Sequence, residues 1–164
     1  MGAVRKTMQM LTADEYAFLA KLATAYRDTH LASIKQTEGW NPRLGVDALC
    51  FQRCLQNGFQ HGFQNSLHPG GTEYMVGALI TPCELWLVAV PDQSSLTEPL
   101  ADSLSLTLPS GAYRLILERL PGGYAFYKRA ILHDLSELDS MQEAARLAQQ
   151  MMTRLMQPVE TKSV

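Results

Sequence analysis

Residues 85–90, Leu-Trp-Leu-Val-Ala-Val, constrain the fold most because they form a continuous apolar block. Side chains of a β-strand alternate between its two sides, so both sides of this strand would be apolar. Such a strand lies in the middle of a sheet covered on both faces, or is covered on one face and paired with a partner chain on the other. We expect the sheet to be organised around this strand.

Strand-like segments around this block predict a five-stranded sheet over residues 72–132. Short breaks containing proline or glycine separate the strands at residues 81–83, 109–111 and 121–123. Breaks of this length are typical of hairpin turns, so we expect an antiparallel meander. The strand at residues 103–108 alternates serine or threonine with leucine, which indicates one solvated face.

Two helices are predicted before the sheet and one after it. Residues 12–15, Thr-Ala-Asp-Glu, form a capping box for the first helix, and residues 46–56 are expected to form a second, shorter helix. The inward positions of that second helix would be Val46, Leu49, Cys50 and Cys54. Two overlapping start signals, a capping box of Ser140 with Glu143 and a weaker one of Ser136 with Asp139, precede a C-terminal helix that runs to about Met156, with apolar residues three and four apart.

These elements predict one α+β domain spanning residues 1–164, with the helices gathered on one face of the sheet. The 46% of hydrophobic residues in 164 is sufficient for a single core. We expect residues 1–11 and 158–164 to be flexible tails.

The charge pattern argues against nucleic-acid and membrane-surface binding. The formal net charge is −2, and both kinds of binding depend on dense clusters of lysine and arginine. No segment has the roughly 20 apolar residues that a membrane span needs. Three cysteines do not form a disulfide framework, so we expect a soluble cytoplasmic protein.

The last hairpin offers the most testable partner-binding surface. Residues 113–131 carry four basic side chains and one acid, whereas residues 66–112 carry five acids and no Lys or Arg. A two-residue turn at Gly122 and Gly123 would place Arg114, Tyr127 and Arg129 on one face, away from the helices. Arginine and tyrosine are enriched at protein interfaces, and a solvated face with charge pairs is the alternative. Trp40 is a further candidate anchor for a partner, unless it folds onto the core.

Cysteine and histidine residues offer an alternative kind of site. Cys50, Cys54, His61 and His68 could ligate zinc, although their spacing matches no metal motif and inward cysteines are ordinary core residues. Cys83 with His133 and Asp134 could form a nucleophilic site, but no nucleophile-elbow pattern accompanies them. We therefore predict no catalytic residue, no metal and no cofactor.

Two classes of function remain. The first is a non-enzymatic protein-binding module, such as a small bacterial adaptor, secretion chaperone or immunity-type inhibitor, acting through an exposed sheet face or the C-terminal helix. The second is a small-ligand or metal-binding domain, possibly an enzyme, that uses the Cys/His set. Four methionines in the C-terminal helix suit core packing or an adaptable binding surface. With a bare sheet face, they also lead us to expect a homodimer.

Replacing Cys50→Ser together with Cys54→Ser separates these classes. If the Cys/His set holds a metal or ligand, the protein purified from its host carries it and the double variant releases it. If the module binds another protein, the double variant loses only packing energy and the partner remains bound. Native mass spectrometry of both proteins measures the bound mass directly.

Overall fold

The fold is a six-stranded antiparallel sheet with one helix on each face, as given by a computed structural model that describes residues 10–56, 72–91 and 100–158. The strands run in the order β1-β2-β3-β6-β5-β4. The elements in chain order are α1 Ala13–Gln36, β1 Asp47–Gln56, β2 Thr72–Ile80, β3 Leu85–Pro91, β4 Ser103–Leu108, β5 Gly111–Leu120, β6 Tyr124–Leu132 and α2 Met141–Leu155. Most of the two predicted tails lies outside the described residues.

The central position of β3 is confirmed. It pairs with β2 on one side and with β6 on the other. Leu85, Leu87 and Ala89 are buried on the side of α2, whereas Val88 and Val90 are buried on the side of α1. The predicted wet face of β4 is also confirmed, because its leucines 106 and 108 are buried while Ser105 and Thr107 are exposed.

The prediction of two N-terminal helices and five strands was wrong, because residues 47–56 form the strand β1. A bulge between Leu49 and Gln52 interrupts its pairing with β2, and Cys50 adopts a φ of 60° there. A bulge inserts one residue and reverses the alternation of side chains after it. The apolar residues of β1 therefore do not keep the period of two that marks a strand.

The simple meander and the gathering of helices on one face were also wrong. Two three-stranded meanders, β1-β2-β3 and β4-β5-β6, join through the pairing of β3 with β6. Helix α1 packs against the core cluster that contains Phe126 and Val88, and α2 packs against the cluster on the other face, with Leu87 and Leu115. Each face of β3 is thus covered by a different helix.

Helix α1 begins where the sequence predicts, and α2 begins after Ser140, one of its two predicted starts. Thr12 caps α1 by accepting a hydrogen bond from the Glu15 amide, and the Glu15 carboxylate accepts one from the Thr12 amide. Ser140 caps α2 through the Glu143 amide, while the Glu143 carboxylate accepts a hydrogen bond from the Asp139 amide. Within the described residues, neither helix is long and apolar enough to cross a membrane.

The last hairpin has a different register from the predicted one. Leu120 pairs with Tyr124, so the turn contains three residues, and both of its glycines have positive φ. A shift of one residue moves every side chain of one strand to the other face. Leu117 therefore lies opposite Tyr127, on the α2 face, and Glu118 lies opposite Phe126, on the α1 face.

The sheet curls until its two outer strands meet at one point. The side-chain amide of Gln56, on β1, donates to the Thr107 carbonyl at 3.0 Å. Its carbonyl oxygen accepts from the Thr107 amide at 2.8 Å. Gln56 thereby bonds to the backbone of β4 in the way a neighbouring strand would, and we call this contact the edge clamp.

The bulge in β1 depends on a glycine in the neighbouring strand. A Cβ atom at Gly77 would lie 2.4 Å from Cδ1 and 2.8 Å from Cα of Phe51. Phe51 thus packs its ring directly over Gly77, which holds the bulged strand against β2. A larger residue would have to displace backbone as well as side-chain atoms.

We expect Gly77→Ala to lower the free energy of unfolding by about 3 kcal/mol, since overpacking against backbone atoms is not relieved by a rotamer change. The matched control is Gly45→Ala, because a Cβ there meets no atom within 4 Å. The control should stay within about 0.5 kcal/mol of the parent protein. Urea denaturation measures both, and equal midpoints for the two variants would contradict this packing.

Candidate functional site

The largest cavity described lies between α2 and the end of β6 and has a volume of about 1020 Å³. We call it the α2 groove. Its apolar lining comprises Ile131, Leu132, Leu147, Met151 and Leu155. Its polar lining consists of Arg146, Arg154, three glutamines and a threonine. The groove therefore combines an apolar surface with two cationic side chains.

The residues on the inner face of α2 explain why one flank of the helix stays open. Ala144, Ala148 and Met152 are buried against the sheet, and the two alanines let the helix approach closely. Leu147 and Met151 lie beside this stripe and are only half-buried. The Leu155 carbonyl accepts a hydrogen bond from the Ser110 amide at 3.2 Å, which ties the end of the helix to the β4–β5 turn.

The structure does not bring the four predicted partner-binding residues onto one face. Tyr127 lies on the α2 face, is only 3% exposed, and donates its hydroxyl to the Ala101 carbonyl at 2.9 Å. Its side chain therefore packs in the core. Arg114 lies on the opposite face of the sheet, near Ile116, which is 50% exposed.

Arg129 and Trp40 occupy two further positions. Arg129 is exposed on β6, two residues before Ile131 of the α2 groove, and its guanidinium donates to the Arg114 carbonyl at 3.3 Å. Trp40 is half-buried in the connection after α1, where its amide donates to the Thr37 carbonyl. A role for these residues in partner binding stays a prediction.

A charged cluster lies beneath α1, where the sequence pattern left Lys128 unexplained. Lys128 forms an ion pair with Glu118, which also contacts His30 Nε2 at 2.6 Å. The ammonium group lies 4.3 Å from the centre of the Trp86 ring and 5.5 Å from that of Tyr26. These contacts compensate the cation for its desolvation on the covered face of the sheet. Burial, and then the Glu118 charge, raise the pKa of the Tyr26 hydroxyl.

A smaller cavity of about 420 Å³ lies between the start of α1 and strands β1 and β2. Its lining includes Asp14, Glu15, Glu73 and Arg53 beside aromatic side chains. Arg53 makes two hydrogen bonds to the Glu15 carboxylate, at 2.5 and 3.2 Å. Burial alone would raise the pKa of Glu15, but hydrogen bonds from Arg53 and the Thr12 amide outweigh it and lower that pKa. This cavity is acidic, unlike the α2 groove.

The residues of the alternative zinc site are described only in part. Cys50 and Cys54 lie on β1, and burial raises the pKa of both thiols, which disfavours the thiolate that zinc binds. His61 and His68 lie outside the described residues. Within residues 10–56, 72–91 and 100–158, no three His, Cys, Asp or Glu side chains are grouped to hold a metal ion.

The residues of the alternative nucleophilic site have other contacts. Burial raises the pKa of the Cys83 thiol, the opposite of what a nucleophile requires. His133 Nδ1 lies 3.3 Å from the Glu84 carboxylate. Asp134 accepts a hydrogen bond from the Ser136 amide. The carboxylate beside His133 is therefore Glu84, which follows Cys83 in the turn before β3.

The sequence interpretation missed Leu147, Arg146 and Arg154 as members of the α2 groove, and it assigned Ile131 to the exposed face of the last hairpin. Leu147 lies beside the regular apolar stripe of α2, and the incorrect hairpin register placed Ile131 on the opposite face to its observed one. The signal that could have revealed the groove was the second apolar row of α2, formed by Leu147 and Met151, between Arg146 and Arg154.

Comparison with known proteins identifies a family. A family model described as "[NiFe]-hydrogenase assembly, chaperone, HybE" matches residues 17–164. Among solved structures, the chain is similar to the solution structure of HybE from Escherichia coli, with 21% sequence identity and a TM-score of 0.44. That match covers 56% of this chain and 62% of the other, less than two thirds of its length. Comparison with curated proteins gives no match.

Glu118→Gln should lower the free energy of unfolding by about 2 kcal/mol, because it leaves the Lys128 ammonium in a mostly buried position without an anion. The Glu118 and Lys128 side chains are only 15% and 20% exposed. Asp28→Asn is the control, since its ion pair with Arg27 is between side chains that are 63% and 50% exposed. The control should cost less than about 0.5 kcal/mol. Chemical denaturation that gives equal losses would contradict a structural role for the cluster.

Proposed function

The chain belongs to the HybE family of [NiFe]-hydrogenase assembly chaperones, and we propose that it binds a [NiFe]-hydrogenase precursor polypeptide during assembly. Family membership supports the general form of the sequence prediction, a chaperone-type protein-binding role. Of the three finer classes predicted from sequence, we propose the chaperone rather than the adaptor or the inhibitor.

The α2 groove is the observation that carries this proposal. An assembly chaperone needs a surface that holds apolar segments of a polypeptide before they are buried in the finished protein. The half-buried side chains Leu147 and Met151 offer such a surface, and methionine adapts to different apolar partners. The buried stripe of α2 fixes the groove to a rigid sheet, so binding does not have to order it first.

We propose that exposed residues outside the groove extend this surface. Arg129 lies on the same strand and face as Ile131 and would contact the part of the partner that continues past the groove. Arg114 and Ile116, on the opposite face of the sheet, and Trp40, in the connection after α1, would contact other parts of the partner. Tyr127 would act indirectly, by holding the backbone of Ala101 beside the sheet.

We also propose a cytoplasmic location and a homodimer in the absence of the partner. The described cysteines, Cys50, Cys54 and Cys83, are free thiols, as is usual in a reducing compartment. The half-buried apolar side chains of the α2 groove would be the natural contact between two copies, and the precursor would compete for them.

The direct test is binding of a purified [NiFe]-hydrogenase precursor subunit, measured by isothermal titration calorimetry. Gln150→Trp should weaken binding at least about tenfold, because the indole fills the α2 groove and removes roughly 1.4 kcal/mol or more of binding energy. Gln150 is exposed, so folding should be unaffected.

Gln36→Trp is the matched control, because Gln36 is equally exposed but lies at the end of α1. It should bind the precursor like the parent protein. In the host, deletion of the chain should lower [NiFe]-hydrogenase activity and leave unprocessed precursor. Normal hydrogenase maturation in the deletion strain, together with no binding of the precursor, would overturn the proposed function.

A further inference from the structure

The two arginines of the α2 groove are positioned to bind acidic side chains of a partner. Arg146 and Arg154 are eight residues apart on α2, a rise of about 12 Å along the helix axis. Both are exposed, and neither forms an ion pair with any of the described residues. The described lining of the groove contains no acidic side chain. The guanidinium groups are therefore available to carboxylates of another molecule.

The backbone around the groove determines the shape of the segment that fits. Most of the described lining of the groove comes from α2, whose interior backbone groups are already hydrogen-bonded within the helix. An extended segment lying along α2 would find no free backbone donors or acceptors on the interior turns of that helix, and its own would be buried without partners. The backbone groups in the interior of a helix are hydrogen-bonded within it, so a helix can enter an apolar groove without leaving those groups unpaired.

We propose that the α2 groove binds an amphipathic helix of the partner polypeptide that carries two acidic side chains about two helical turns apart. Its apolar side chains would pack on Leu147, Met151 and Ile131, and its carboxylates would pair with Arg146 and Arg154. This inference rests on the proposed chaperone function and specifies the chemistry that the groove recognises.

The acidic cavity at the start of α1 adds selectivity. Asp14 and Glu73 have no ion-pair partner in the described part of the chain. Arg53 is the one basic residue in the described lining of this cavity, and it pairs with Glu15. An acidic helix is repelled from that cavity and attracted to the α2 groove, on the other face of the sheet. Charge thus directs such a segment to one of the two cavities.

The test uses synthetic amphipathic peptides of about 18 residues, long enough for a stable helix, and the full-length protein. One peptide carries two glutamates eight residues apart beside its apolar face, and the others carry glutamine or lysine there. Fluorescence anisotropy should show the glutamate peptide binding roughly tenfold more tightly than the glutamine peptide, with the lysine peptide weakest. Added salt should reduce this preference.

The double variant Arg146→Glu with Arg154→Glu should reverse the order, so that the lysine peptide binds most tightly. The charge-matched control, Lys21→Glu with Lys35→Glu, changes exposed cations of α1 and should keep the original order. An unchanged order in the α2 variant, or a homodimer that excludes every peptide from the groove, would overturn the proposal. Precursor binding that persists without any peptide preference would reject this inference alone, whereas absent precursor binding would reject the proposed function.

Discussion

Burial of β3 on both faces is the constraint on which the rest of the structure depends. A strand with no polar side has to be covered twice, and α1 and α2 supply one cover each. The two meanders then meet at the β3–β6 pairing, so the apolar strand occupies the centre of a six-stranded sheet. Because one helix covers each curved face, α2 leaves part of β6 uncovered, and the groove forms there.

The cationic side chains on the two faces of the sheet have different surroundings. Beneath α1, Lys128 contacts Glu118 and two aromatic rings, so its charge is compensated within the protein. Along α2, by contrast, Arg146 and Arg154 have no such anion among the described residues. The first arrangement stabilises the fold, whereas the second leaves two cations available for binding.

Much of this fold follows from local sequence rules, and the errors have physical causes. The strands β2 to β6, the two helices and their caps follow from turn residues, alternation and capping boxes. Strand β1 was mistaken for a helix because the bulge at Cys50 reverses its alternation, leaving apolar residues three and four apart. The β3–β6 pairing joins strands that are distant in sequence, and no local signal specifies it.

The candidate site was less predictable than the fold, because it depends on register. A three-residue turn instead of a two-residue one moved Tyr127 into the core and separated Arg114 from Arg129. The residues of α2 were identified, but their open flank follows from how α2 crosses the sheet. That geometry is a property of the folded chain rather than of any one segment.

The edge clamp has a consequence for aggregation. An open sheet presents unpaired backbone groups on its outer strands, and these groups recruit strands from other molecules. Gln56 occupies the outward amide and carbonyl of Thr107 on β4, so a foreign strand cannot pair with β4 at that residue. On the function proposed above, this protein would meet many such strands in incompletely folded polypeptides. With this position occupied, a foreign strand would find a shorter stretch of β4 open to pairing, while the side chains of the α2 groove stay available.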